Sequence, residues 1–374
     1  MEKLERLDAT LEANDLKSVW FARPNSFAWL SGGSSVVDRE GDVGVGALGY
    51  DGEEVTLLAD TIEIDRLYEE ELPDFEAADV SVTRESFPWY ERSLLEAIVD
   101  RVEDPAAADV DVHGLERLDP ATVRQPLTAT DRERYRDLGR ETAAAVEAVC
   151  RELQDDDTED EVTAALTVSL AARDIEAPVV LVGGSERAQK YRHYTPKPIE
   201  FGDYALVSVT TQRHGLHASC TRAVAFDPPE WLAERHRHAA RVETTALAAT
   251  RDAAAANGTA GDVFAEIQAA YDALGHAREW ERHHQGGAAG FAGREWIATP
   301  DHEAPAIAPM AYAWNPTVQG AKSEDTVLVS DDGFETLTDA GTGTGTDDDW
   351  PTIEVKAVGE YDLELERPAV LGLE

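Results

Sequence analysis

Acidic side chains constrain this chain more than any other feature: 75 Asp and Glu stand against 33 Lys and Arg, a formal net charge of −42. A surface carrying that excess repels itself at low ionic strength. Salt near 1 M shortens the screening length to roughly 3 Å and removes most of the repulsion. Only six of the 33 basic residues are lysine, so arginine supplies most of the positive charge. The acid is spread along the whole sequence, which reads as a surface adapted to concentrated salt and not as a docking face for one cationic partner. No Arg or Lys stripe exists to displace counterions, so free nucleic acid is not an expected partner.

At 374 residues the chain is longer than one hydrophobic core usually grows, and two domains are expected. A hydrophobic fraction of 43% is enough for real cores and excludes a wholly disordered protein. Cys150 and Cys220 lie far apart in no metal-binding or redox spacing, which fits a reducing compartment. The first residues are charged and no apolar stretch reaches membrane-spanning length, so no membrane association is expected and the predicted location is the cytoplasm.

Leu4, Leu7 and Leu11 predict a helix over 3–14, and Ser18–Phe21, 45–48 and 54–58 read as strands, the last two separated by Tyr50-Asp51-Gly52. A helix over 94–102 follows, and this α/β block closes near residue 125. Beyond Pro126 a long helix is expected over 131–154. Thr158 and Glu161 have the spacing of a capping box and should open the next helix. Strands are expected at 179–183, 204–210 and 218–226, the last preceded by a turn at His214-Gly215. Helices over 231–251 and 263–274 precede strands at 311–314 and 326–330. Asp331-Asp332-Gly333 turns the chain into a strand at 335–337, and 341–349 reads as a hydrophilic loop.

Five pieces in order carry a resemblance. Gly202-Asp203-Tyr204 opens a run to Ser208, and Gly215-Leu216-His217-Ala218-Ser219-Cys220-Thr221-Arg222 follows. Then come His283-His284-Gln285-Gly286-Gly287, Asn315-Pro316, and Gly320-Ala321-Lys322-Ser323-Glu324-Asp325-Thr326. In order and spacing these resemble the signatures of the peptidase M24 superfamily, that of creatinase, prolidase and Xaa-Pro aminopeptidase P. The acidic surface resembles that of proteins from extreme halophiles. The resemblance implies an α+β chain in which residues 131–370 form the pita-bread domain and residues 1–125 a smaller N-terminal α/β domain of the creatinase type. It also implies a homodimer.

Metal-dependent members hold two divalent ions with five ligands. By the resemblance, the two aspartates fall at Ser208 and Ser219, the histidine at Gly287 and the first glutamate at Asn315; only the last glutamate survives, as Glu324. Two cations about 3.5–4 Å apart need bridging carboxylates to offset their repulsion. Serine does not deprotonate near neutral pH, glycine has no donor and an asparagine amide has no charge. No metal or other cofactor is therefore expected, and two ions such as Mn would require this matching of positions to be wrong. A shifted site at His214, His217 and Cys220 has no metal-binding spacing.

The outer residues are partly kept. His193 and His283 match family histidines and are the expected catalytic pair. Arg294 stands at the position of a later histidine and Lys322 at that of an arginine. With Ser208, Ser219, Asn315 and Glu324, these two form the expected substrate-binding set: Arg294 for a substrate carboxylate or developing negative charge, Glu324 for a substrate cation. Creatinase resembles the peptidases yet works without metal. The resemblance thus implies a metal-independent hydrolase of a C–N bond in a small amino-acid-like or guanidino-like compound. Two other readings stay open: an inactive small-molecule-binding or regulatory protein on the same fold, and an Xaa-Pro aminopeptidase or dipeptidase with an atypical site, acting on short peptides. Each residue also has a structural reading. His193 could cap a loop, His283 and His284 could satisfy backbone groups, Glu324 could pair with Lys322 or Arg294, and Cys220 could be a buried inert thiol.

Overall fold

The structure, a computed structural model, describes residues 1–341 and 349–373. The expected loop at 341–349 lies largely outside them. The chain divides into two compact units, Met1–Thr128 with His214–Leu216, and Ala129–Arg213 with His217–Glu374.

In the first unit, helix α1 (Glu2–Asn14) buries Leu7 and Leu11, as its leucine spacing requires, and ends where Asp15 takes the left-handed conformation. Strand β1 (Ser18–Phe21), helix α2 (Pro24–Ser31), and strands β2 (Gly46–Tyr50) and β3 (Val55–Asp60) follow. Next come α3 (Ile64–Glu70), α4 (Pro73–Ala77), β4 (Val82–Phe87) and α5 (Leu94–Arg101), then β5 (Ala106–Ala108), β6 (Glu116–Arg117) and α6 (Ala121–Arg124). The six strands form one mixed sheet in the order β4-β3-β2-β1-β5-β6. Trp20, Leu58, Phe87, Ile98 and Val110 pack into one of its cores.

The second unit begins with α7 (Ala129–Arg151). Helix α8 (Glu159–Ala171) opens on the predicted capping box, in which Thr158 accepts from Glu161 N and Glu161 accepts from Thr158 N. Then follow β7 (Glu176–Gly184), α9 (Ser185–Lys190), β8 (Tyr204–Arg213), β9 (Leu216–Ala225), α10 (Leu232–Ala256) and α11 (Ala260–Ala273). A 3-10 turn at Glu279–Arg282 leads into β10 (Gly286–Ala289), β11 (Met310–Trp314), β12 (Thr317–Val318), β13 (Ala321–Lys322), β14 (Asp325–Ser330) and β15 (Gly333–Thr336). Strands β16 (Thr352–Lys356), β17 (Glu364–Pro368) and β18 (Val370–Gly372) complete the described chain. Between β8 and β9 the predicted turn is present, with His214 and Gly215 both at positive φ. Among the described residues no helix is long and apolar enough to cross a membrane.

Eight strands of the second unit are hydrogen-bonded as two four-stranded sheets, β18-β9-β8-β7 and β10-β11-β14-β15. Side-chain bonds and single backbone bonds join them where no ladder runs. The Thr326 hydroxyl accepts from Ser219 N at 2.8 Å and donates to Ser219 O at 2.9 Å. Thr221 N donates to Glu324 O at 2.9 Å. This seam fixes residues 219–221 beside 324–326, although more than a hundred positions separate them. Helix α10 lies behind it with Ala239, Ala240, Ala246, Ala248 and Ala249 buried, small side chains that permit close approach to the strands.

The seam is braced from behind by buried ions. Arg222 donates to Glu147 and Asp325, both at 2.9 Å, and to Thr338 O at 2.8 Å. Arg367 bridges Glu243 and Asp325, and Ser323 donates to Glu243. Five charged groups are thereby satisfied without water, the condition under which buried charge is tolerated.

Candidate active site

The seam faces a cleft of about 660 Å³. Its polar wall carries His193, Ser208, His217, His284, Arg294, Asn315, Lys322 and Glu324, and its apolar wall carries Pro178, Val179, Leu181 and Ile297. Six of the eight residues expected from sequence are thus brought together. The other two stand behind: Ser219 bonds Thr210 at 2.9 Å and accepts from Arg294 at 3.2 Å, while His283 is buried beside His193. Sequence reasoning gave His284 less weight than His283 and gave His217 no place at the site, yet these two share the cleft. The only signals available were the adjacency of His284 to His283 and the place of His217 on the Gly215–Arg222 string.

Glu324 sits at the centre. Its Oε1 accepts from Arg294 at 2.9 Å. Its Oε2 lies 2.8 Å from Lys322 Nζ and accepts from the Thr221 hydroxyl at 2.9 Å. Burial alone would raise this carboxyl, but the ammonium of Lys322 and the guanidinium of Arg294 outweigh it and hold the group at about 2. Both oxygens are committed to the chain's own cations, which differs from the expectation that Glu324 awaits a cation on the substrate. The same contacts settle two smaller matters. Thr221 holds the carboxylate as well as bonding Ser208 at 2.8 Å, and Lys322 reaches Ser208 at 3.4 Å. Two cations against one anion leave the wall with one excess positive charge.

Three imidazoles cluster here, His193 and His284 on the cleft and His283 buried behind them. His283 Nε2 and His193 Nε2 are 3.2 Å apart, and the rings of His283 and His284 stack with centroids 4.4 Å apart. Burial, with Lys322 and neighbouring charge, pushes His283 far below the ordinary histidine range; burial, with Arg294 and Lys322, lowers His284 to about 4. His193 is lowered by burial and by Lys322. All three are neutral at pH 7. A second opening of about 790 Å³, lined by Arg192, Glu279, Glu281, Arg282 and His283, shares His193 and His284 with the cleft. Cys220 is fully buried, and burial pushes its thiol far above the ordinary value, so it is chemically inert.

The two-unit α and β architecture is shared with solved structures of several other proteins. The chain aligns with the prolidase of Pyrococcus horikoshii at a TM-score of 0.74 and 16% identity, over 92% of this chain and 99% of that one. Dipeptidase PepE of Mycobacterium ulcerans gives 0.70 and 20%, over 90% and 95%. The N-terminal domain of the FACT complex subunit SPT16 from chickpea, Cicer arietinum, gives 0.67 and 9%, over 91% and 96%. These identities show a shared fold, the pita-bread fold with an N-terminal domain. No curated protein matches by sequence. The model of Metallopeptidase family M24 matches residues 133–331, just over half of the chain, and the chain belongs to that family.

A dinuclear metal centre does not fit the residues that the resemblance matches to the family's ligands. Glu324 already carries two cationic partners within 2.9 Å. Ser208 and Ser219 are engaged with neighbouring hydroxyls. At Gly287 even a Cβ would lie 2.1 Å from Trp296 O and 2.8 Å from the Trp296 ring, so a histidine there has no space. Among the described residues, His193, His283 and His284 are the group whose donor atoms fall together, within 4.8 Å. They bring no negative charge, and Lys322, Arg192 and Arg294 stand close enough to depress their protonation. The same field opposes a divalent cation.

Proposed function

We propose that this chain is a metal-independent hydrolase of the C–N bond in a small amino-acid-like or guanidino-like compound, working from the chain's own charges. The observation that supports this reading is the Lys322–Glu324–Arg294 cluster, two fixed cationic donors on the one carboxylate that the resemblance matches to a family metal ligand. Such donors stabilise negative charge that develops on a carbonyl oxygen, at no cost of reorganisation.

His193 is the proton acceptor. When its Nε2–H donates to His283 Nε2, its Nδ1 keeps a free lone pair, and His283 fixes the ring. Water gives a proton to His193 as its oxygen adds to the carbonyl carbon. The imidazolium then returns that proton to the leaving nitrogen as the C–N bond breaks, so water and amide become acid and amine. His284, also neutral, lines both openings. Ser208 and Asn315 line the substrate space. A homodimer is part of this proposal, on the family resemblance.

The test is turnover of small amides, ureido acids and dipeptides by chelator-treated protein in molar KCl, with His193→Ala as the comparison. Chelator-insensitive hydrolysis lost in the variant supports the reading. Turnover that requires about two equivalents of Mn would favour an atypical Xaa-Pro peptidase and refute it. A ligand bound tightly but never turned over would make the chain a binding protein.

A further inference from the structure

Besides imidazole nitrogens such as His284 Nδ1, two buried atoms of the polar wall lack partners. Asn315 is 3% exposed, lines the cleft, and its Oδ1 accepts no hydrogen bond. Arg294 spends NH1 on Gly293 O and Ser219 and NH2 on Glu324, while its buried Nε has no acceptor. Leaving such groups unpaired costs about 1–3 kcal/mol each, so a site that keeps them is built around something that pairs them. One needs a donor and the other an acceptor, preferably charged. Lys322 has three hydrogens and two partners, Glu324 and Ser208, which leaves one N–H for the same acceptor.

The apolar part of the lining constrains the rest of the ligand. Val179 and Ile297 remain 40% and 39% exposed at the cleft. Pro178 and Leu181 continue that surface. An apolar group of the ligand would cover it.

The wall also excludes a class. Every oxygen of Glu324 is engaged, and the excess charge is positive. A guanidinium or free ammonium entering here would meet Lys322 and Arg294 without an available carboxylate.

We infer that the cleft recognises a small carboxylate bearing a neutral N–H and an apolar side chain, the chemistry of an N-acyl or N-carbamoyl amino acid, and rejects cationic guanidino compounds. The carboxylate meets Arg294 Nε and Lys322, the N–H meets Asn315 Oδ1, and the side chain lies on Val179 and Ile297. This rests on the reading of the cleft as a small-molecule site and narrows its substrate class.

Isothermal titration in molar KCl tests it with three probes: N-acetyl-L-leucine, N-acetyl-L-leucinamide and isoamylguanidine. The carboxylate should bind at least about tenfold tighter than the amide, the value of one charge-assisted hydrogen bond, and the guanidine should bind weakest. Asn315→Leu should weaken N-acetyl-L-leucine by roughly fivefold, for the one neutral bond lost. The probe series on the unaltered protein stands by itself should that variant misfold. Equal binding of carboxylate and amide, tightest binding of the guanidine, or no binding of N-acetyl-L-leucine at millimolar concentration would overturn the inference. Turnover is not read here. Binding of N-acetyl-L-leucine without hydrolysis counts against the hydrolase and leaves this recognition standing.

Discussion

Glu324→Gln removes the one negative charge between Lys322 and Arg294, and its cost follows from the structure. The carboxyl is held at about 2 against an ordinary 4.5, because the two cations outweigh the effect of burial. At about 1.36 kcal/mol per pH unit, that difference corresponds to about 3 kcal/mol of stability. The group's folded pKa is depressed, so this stability is present in full above pH 4.5 and is lost as pH falls towards 2. Glutamine keeps the shape but leaves two buried cations without a counter-charge, and losses of that kind run to about 3–5 kcal/mol. For a unit of this size, about 3 kcal/mol lowers the melting temperature by roughly 6–12 °C. Thermal melting by circular dichroism in molar KCl at pH 7 measures it, and repeating the melts towards pH 3 should show the gap closing. Wild type and variant melting together at pH 7, or a gap that stays constant on acidification, would refute the placement of Glu324 as the counter-charge of both cations.

Gly287→Ala should destabilise by about 1–3 kcal/mol through overpacking, since its Cβ would fall 2.1 Å from Trp296 O, and urea denaturation reads this directly. Stability of the unaltered protein should rise steeply with KCl up to molar concentration, as the repulsion among the excess of acid is screened; a melting temperature independent of salt would contradict that account. Any hydrolytic rate should stay flat as pH drops from 8 through 6.5, because burial lowers His193 and the base remains neutral; a fall in rate centred above 6.5 would point to another acceptor. Metal analysis of protein purified in high salt should find well under one equivalent of Mn, Co or Zn per chain, and two tightly held ions would overturn the fit argument at Ser208, Ser219, Gly287 and Asn315.

Much of the element order was legible in the sequence because its signals are local. The leucine spacing of α1, the capping box at Thr158 and Glu161, and the His214-Gly215 turn each depend on residues within a few positions of one another. Family membership was legible too, because five short strings keep their order whatever surrounds them. The loss of four ligands that the resemblance implies, three carboxylates and a histidine, could likewise be read directly from residue identity. What replaced them could not. Whether Glu324 faces a substrate or the chain's own Lys322 and Arg294 depends on where a segment thirty residues away returns, and only the packed strands decide that. The partnerless Asn315 Oδ1 is likewise a property of space, since an asparagine in sequence carries no mark of whether its acceptor is filled. His283 and His284, neighbours in the chain, part in role because one is enclosed beside His193 and the other lines the cleft. Identity of side chains is fixed by sequence, but the charge a side chain can hold depends on the dielectric and counter-charges around it, and those come from tertiary structure alone.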